Sequence, residues 1–155
     1  MDSRRALGTW ISGPQAAAEE MGVDFGYRGE RLGLPRSGSG AIAPNGRRIG
    51  ALFVDWWACS LIATQLISPG DQMTASLWAA GLFLVMSLLL IGTTGLTVGK
   101  RLFGLRVIRL DGRRPGPGRV LARTVLLLLV VPAVIWDRDG RGLHDKLAGT
   151  VEVRL

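Results

Sequence analysis

The feature that most constrains the fold is a stretch of 25 residues, 74–98, that is apolar and contains no charged side chain. A helix rises about 1.5 Å per residue, so about 20 residues cross a hydrocarbon core about 30 Å thick. Residues 49–68 form a second apolar run that is long enough, although an aspartate interrupts it. A short turn at residues 68–71 separates the two runs. The sequence therefore predicts two transmembrane helices joined in a hairpin.

A third apolar run, residues 120–136, is shorter. Only 13 uncharged residues separate Arg123 from Asp137, and Pro132 lies among them. Thirteen residues make roughly 20 Å of helix, less than a full crossing needs. Two interpretations stay open: a re-entrant or interfacial helix, and a complete crossing in which the Arg123 side chain extends towards the membrane surface.

Two short segments near the ends of the apolar runs have the period of β-strands. Residues 105–110 alternate and lead into an Asp-Gly turn, and residues 150–155 also alternate. Two strands this short need a partner, so each is predicted to pair with the other. This pairing requires both strands on one side of the membrane, which favours the re-entrant interpretation of the third run.

The predicted architecture is an all-α membrane protein with a small cytoplasmic β element. Its helices are expected at about 49–68, 74–98 and 120–136, within a membrane domain that covers residues 44–155. Residues 1–43 are interpreted as a cytoplasmic extension and linker, with a short helix at residues 14–21 where Pro14 precedes two glutamates.

Basic residues predict the orientation of the hairpin. Seven lysines and arginines lie within residues 99–119, and Arg47 and Arg48 precede the first run, whereas the turn at 68–71 has none. Lysine and arginine accumulate in cytoplasmic loops. The N-terminus and residues 99–119 are therefore expected in the cytoplasm, with the turn outside.

Asp55 lies in the middle of the first apolar run. A carboxylate at that depth costs about 2.5–3.5 kcal/mol on insertion scales and usually faces the protein interior or a water-filled path. Arg48 precedes it by two helical turns, so the two side chains are on nearly the same face. We predict that Arg48 and Asp55 form a polar site.

Composition argues against several other functions. The net charge of +7 comes from basic residues that flank apolar runs, without the interleaved aromatic residues that stack on bases, so no nucleic-acid partner is expected. Residues 92–100 have some likeness to a phosphate-binding loop, but Thr94 occupies the position of its first glycine and Arg101 that of its magnesium-binding hydroxyl residue.

Neither a catalytic residue nor a metal site is predicted. Cys59 is the only cysteine and His144 the only histidine, which is too few for a typical transition-metal site or a recognisable catalytic triad. His144 precedes Asp145, and this pair has two interpretations, a proton shuttle or a structural hydrogen bond in a tight turn. The chain is therefore expected to be neither an enzyme nor a cofactor-binding protein.

Several of these residues occur together in a known pattern. An arginine opens the first helix and an aspartate lies within it, here Arg48 and Asp55. Residues 99–107 read Gly-Lys-Arg-Leu-Phe-Gly-Leu-Arg-Val, and residues 143–150 read Leu-His-Asp-Lys-Leu-Ala-Gly-Thr, which contains Asp145. This combination resembles the RDD family of small bacterial membrane proteins, which is named for one arginine and two aspartates.

The resemblance covers about residues 44–153, and the third apolar run is short for the family. It implies that Arg48, Asp55 and Asp145 are the family's polar motif residues and that the protein lies in the bacterial plasma membrane as a multi-pass protein. Four polar residues are expected to support these three: Lys100, Arg101, Arg123 and His144. Transport of unidentified ligands or ions has been suggested for the family.

Two hypotheses for the function follow. In the first, the polar site around Asp55 lines a path for ions or small ligands, which requires an oligomer because two or three helices rarely enclose a pathway. In the second, the protein is an accessory or assembly subunit of a larger membrane complex. There, Arg48 pairs with Asp55 to lock the hairpin, and Asp145 reaches an arginine such as Arg123 or Arg101.

Overall fold

The computed structural model describes residue 22, residues 26–129, residues 135 and 137, and residues 139–155. The helix predicted at residues 14–21 lies outside these residues, as do residues 130–134 and 136 of the third apolar run.

Two long helices form the hairpin that the apolar runs predict. Helix α1 spans Asn45–Ile62 and continues as a π-helical turn, Ala63–Ile67. Helix α2 spans Gln72–Thr94, and its first turn is capped by the Asp71 side chain, which accepts from two backbone N–H groups. Helix α1 with its π-helical turn and helix α2 are each 23 residues long and apolar enough to cross a membrane.

The hairpin packs through small side chains and leaves its large apolar side chains on the outside. On α2, the buried residues recur at every fourth position, which is one face of a helix: Ala75, Ala79, Phe83, Ser87 and Ile91. Ala75 and Ala79 contact Ala63 at the closed end of the hairpin. In contrast, Phe53 and Leu66 are 68% and 78% exposed. Large apolar residues on the outer surface of long helices are typical of contact with lipid.

The remaining elements gather at the open end of the hairpin. They are, in chain order, α3 Val98–Leu102, β1 Leu105–Arg109, α4 Pro117–Leu128, α5 Leu143–Ala148 and β2 Thr150–Arg154. Helix α2 ends at Thr94 rather than near residue 98 because Gly95 adopts a φ of 76°, which a side chain disfavours. Helix α4 begins before the apolar run, with Pro117 in its first turn.

The predicted pairing of the two strands is confirmed. Strands β1 and β2 are antiparallel, with Val107 opposite Glu152 and Ile108 opposite Val151. The chain before α1 also joins this sheet, because Ile42 bridges to Val153 and the Ala43 N–H donates to the Glu152 carbonyl at 2.9 Å. The packed unit therefore extends N-terminal to residue 44.

Candidate functional site: a buried ionic cluster

Six ionisable side chains from five elements meet where the open end of the hairpin contacts the sheet. We call them the ionic cluster, and each is at most 6% exposed: Arg48 on α1, Lys100 on α3, Arg123 on α4, His144 and Asp145 on α5, and Glu152 on β2. Residues separated by as many as 104 positions in the sequence thus share one site.

Glu152 is the centre of the cluster. Its Oε1 accepts from Lys100 Nζ at 2.7 Å and is also paired with Arg123 Nη2, while Oε2 lies 3.6 Å from Arg48 Nε. Burial alone raises the pKa of a carboxyl group, but attraction to Lys100, Arg123 and Arg48 outweighs both burial and repulsion from Asp145, and lowers the pKa of Glu152 to about 2.

Asp145 occupies the second acidic position. Its Oδ1 accepts from Arg123 Nε at 2.6 Å and from the Thr150 hydroxyl at 2.8 Å, while Oδ2 lies 3.5 Å from His144 Nε2. Burial opposes ionisation, yet the positive charge of Arg123, with contributions from His144 and Arg48, holds the pKa of Asp145 well below its usual range. The predicted contact between Asp145 and Arg123 is present.

Arg48 ties α1 to the C-terminal segment. Its Nη1 donates to the Gly140 carbonyl at 2.8 Å and its Nη2 to the Glu152 carbonyl at 3.1 Å. Its remaining contact is with the Glu152 carboxylate. Arg48 therefore binds two segments that lie about 90 and 100 residues later in the sequence.

The predicted Arg48–Asp55 pair is wrong, since no ion pair joins these two described residues. Both Asp55 oxygens are engaged elsewhere, because Thr97 Oγ1 donates to Oδ2 and the Gly99 N–H donates to Oδ1 at 2.7 Å. The expectation considered only the face of α1 and omitted α3, whose first turn lies against that face.

Gly99 explains how α3 approaches α1 so closely. A Cβ atom at this position would overlap the Ala51 carbonyl and lie 3.0 Å from the Asp55 carboxyl carbon. Only glycine leaves room for the backbone contact through which Asp55 binds α3. Asp55, Thr97 and Gly99 thus form a second buried polar contact, which fastens α3 to the middle of α1.

Arg101 does not belong to the cluster, although the sequence suggested it as a partner. It is exposed, while its neighbour Lys100 is buried on Glu152. Successive helical residues point about 100° apart, so α3 directs only one of the two inwards.

Sequence reasoning missed Glu152, the most connected member of the cluster. One signal was available: in a strand that alternates, Glu152 lies on the face opposite Val151 and Val153, which pack together in an apolar core. A carboxylate on that face, in a strand predicted to pair near several basic residues, is expected to be buried against them.

The cluster carries a net charge that its internal ion pairs do not neutralise. Three cations face two carboxylates, which leaves a net positive charge of one when His144 is neutral. Arg48 Nε, Asp145 Oδ2 and Glu152 Oε2 are buried without hydrogen-bond partners. A buried ion pair is favourable only when its geometry is good and its remaining polar atoms are satisfied. The cluster therefore retains unused capacity to bind a polar group.

A cavity of about 60 Å³ adjoins these atoms. Eight residues line it: Arg48, Ile49, Leu52, Lys100, Arg123, Leu127, His144 and Glu152. Within the part of the chain that the structure describes, no three histidine, cysteine, aspartate or glutamate residues are grouped so that they would hold a metal ion. The chemistry of this site is that of charge binding by arginine and lysine.

Comparison with known proteins agrees with the pattern of motif residues. The model of the RDD family matches residues 42–149, about 70% of the chain. No curated protein and no solved structure matches it. The match includes Arg48, Asp55 and Asp145, and the two apolar helices fit a family of membrane proteins. The chain therefore belongs to the RDD family.

Proposed function

We propose that this protein is an accessory or assembly subunit in the bacterial plasma membrane, with a hairpin that is locked to a cytoplasmic sheet by the ionic cluster. One observation carries the proposal: the charged motif residues are engaged in contacts within the chain. Arg48 and Asp145 bind Glu152 and Arg123, and Asp55 binds α3. The proposal gives the chain no catalytic role.

The surroundings of Asp55 support a structural role for this residue. Its carboxylate is 2% exposed, and both oxygens accept hydrogen bonds from α3. A carboxylate that carries ions needs access to water on at least one side. The contacts of Asp55 instead resemble those of a group that positions one helix on another.

The proposal includes the topology, with the N-terminus, the sheet and the C-terminal tail in the cytoplasm and α4 re-entrant. Helix α4 has 12 residues, about 18 Å of helix. By Ile135, the chain is again beside α5, because the Leu143 N–H donates to the Ile135 carbonyl at 2.8 Å.

Single cysteines test this topology in a variant that lacks Cys59. Exposed positions 39, 70, 110 and 155 are labelled in intact cells with a reagent that does not cross the membrane. We expect labelling at position 70 alone, and labelling of all four after lysis. Labelling of position 155 in intact cells would establish a third crossing and contradict the re-entrant arrangement.

The accessory role is tested by combining crosslinking with reconstitution. Crosslinking in native membranes before mild solubilisation should yield a stoichiometric complex with another membrane protein. The purified protein alone, in liposomes with dyes for protons, sodium and potassium, should give no flux above that of protein-free liposomes. Flux by the pure protein, lost in a variant that still folds, would overturn the proposal.

Transport remains a second candidate on the basis of one observation. The cavity beside the cluster borders Glu152, and its Oε2 has no hydrogen-bond partner. An ion or a proton carrier would use such a group. Under this hypothesis, Glu152→Gln abolishes flux in liposomes, whereas Asp111→Asn, at a half-exposed ion pair, leaves it unchanged.

A further inference from the structure

A second, larger cavity lies directly beside the polar one. It is a groove of about 300 Å³ between α1, α2 and α4, and we call it the apolar groove because apolar side chains line it. Seven residues line it: Ile49, Leu52, Phe53, Trp56, Phe83, Leu127 and Leu128. Its volume is at the small end of the range for ligand sites, about 300–1,000 Å³.

The two cavities share a wall. Ile49, Leu52 and Leu127 line both, so the apolar groove and the polar cavity are adjacent. At one end the lining is aromatic and aliphatic. At the other it is polar, with three cations and one carboxylate: Arg48, Lys100, Arg123 and Glu152, beside His144. A molecule that spans both must have an apolar chain and a polar head.

The charge of the cluster specifies the head. Arg48 Nε has no acceptor within hydrogen-bond distance, since the Glu152 Oε2 that it faces lies 3.6 Å away, and the cluster has one net positive charge when His144 is neutral. An anionic oxygen would supply this acceptor and balance the charge, because arginine and lysine bind phosphate through charge-assisted hydrogen bonds. A cationic head would add to this net positive charge.

The location of the groove indicates that its ligand comes from the bilayer. The groove lies between helices long enough to span a membrane, and the cluster lies at the ends of those helices. Ile49 and Phe53, at its edge, are 53% and 68% exposed, so the groove is open to the surroundings of the hairpin. We propose that the groove and the cluster together bind an anionic phospholipid of the bilayer, with one acyl chain in the groove and the phosphate at Arg48 and Arg123.

This inference goes beyond the accessory function and does not depend on it. A lipid held at the junction of the hairpin and the sheet would link assembly to the composition of the membrane. Basic pockets between membrane helices on the cytoplasmic side are a known arrangement for binding lipid head groups.

The test is native mass spectrometry of the full-length protein, delipidated in a non-ionic detergent. Phosphatidylglycerol and phosphatidylcholine with identical acyl chains are compared as probes. We expect one phosphatidylglycerol per chain, bound about tenfold more tightly than phosphatidylcholine, a ratio that corresponds to one charge-assisted hydrogen bond. Equal binding of the two lipids would mean unspecific contact with the hairpin and would refute the site.

Bulky substitutions locate the binding. Ile49→Trp, at the wall shared by both cavities, should abolish the preference, so that phosphatidylglycerol and phosphatidylcholine bind about equally tightly. Its control is Leu61→Trp on the same helix, which is 40% exposed and lines neither cavity. Leu127→Trp is a second variant on the opposite wall, and the unfolding temperature of each variant shows that it is folded.

Each other outcome contradicts the proposal. A preference for phosphatidylglycerol that survives both Ile49→Trp and Leu127→Trp would place the lipid elsewhere. A dimer of this chain that is lost in these variants, without lipid binding in the parent protein, would identify the groove as an interface between two copies. Binding of inorganic phosphate with the same affinity as the lipid would show that the acyl chain contributes nothing.

Discussion

Glu152→Gln is expected to remove a large electrostatic contribution to the stability of the protein. The pKa of Glu152 is lowered from an ordinary 4.5 to about 2 by Lys100, Arg123 and Arg48. One pKa unit corresponds to about 1.4 kcal/mol, so ionisation of this group contributes about 3 kcal/mol to the free energy of unfolding. The substitution preserves shape but leaves three buried cations with Asp145 as their only carboxylate in the cluster. A loss of about 3–5 kcal/mol is typical when one partner of a buried pair is removed.

The sign of the pH dependence follows from the direction of the shift. Because the folded protein holds the Glu152 proton less tightly than the unfolded chain, the stabilisation is complete above about pH 5. It is lost as the pH falls from about 5 towards 2. Asp145, whose pKa is also lowered, adds to this loss at the acid end.

The assay is thermal unfolding in a non-ionic detergent, followed by tryptophan fluorescence between pH 7 and pH 3. For a chain of this length, 3 kcal/mol corresponds to roughly 6–12 °C in Tm. Glu152→Gln should lower the Tm at pH 7 and flatten the acid limb. Asp111→Asn, at a half-exposed pair, should change neither. An acid limb of unchanged slope in Glu152→Gln would refute the assignment of this stabilisation to Glu152.

Three further outcomes follow from the contacts. Gly99→Ala should reduce the folded yield strongly, because the added Cβ overlaps the Ala51 carbonyl. Gly92→Ala, where the added Cβ meets open space, should not reduce it, and fluorescence-detected size exclusion compares the two. Asp55→Asn should lower the unfolding free energy by about 1.5–3 kcal/mol, because its amide donates where the carboxylate accepted, and chemical denaturation in detergent measures this. Cysteines at 108 and 151, opposite each other in the sheet, should form a crosslink in a variant without other cysteines, and a failure to crosslink under oxidation would contradict the register.

The sequence predicted the helices of the hairpin well because their signal is local. Length and apolarity predict a transmembrane segment, and each run overlaps a helical segment of 23 residues, Asn45–Ile67 and Gln72–Thr94. The boundaries differed for reasons that apolarity does not encode. Gly95 ends α2 early through its backbone conformation. Helix α1 begins at Asn45, so its first turn includes Arg47 and Arg48, which precede the apolar run.

The partners of the charged residues were predicted less well because they depend on contacts between distant segments. Asp145 was predicted to reach Arg123 or Arg101, and Arg123 is its partner. Asp55 was assigned to Arg48 because both lie on one face of α1, but the helix α3, which follows α2, supplies its donors. A pattern along one helix shows which side chains share a face and does not show what covers that face.

The ionic cluster also links the elements at the open end of the hairpin to one another. In a bilayer, apolar helices have little hydrophobic drive to associate, since lipid chains are as apolar as leucine. The alanines at the closed end allow close packing but do not determine where α4, α5 and β2 lie. Glu152 contributes to their placement, because it pairs with Arg48, Lys100 and Arg123 at once. An arrangement that separated Glu152 from these three residues would leave buried cations unpaired, which costs several kcal/mol, so we expect electrostatics to favour the observed arrangement.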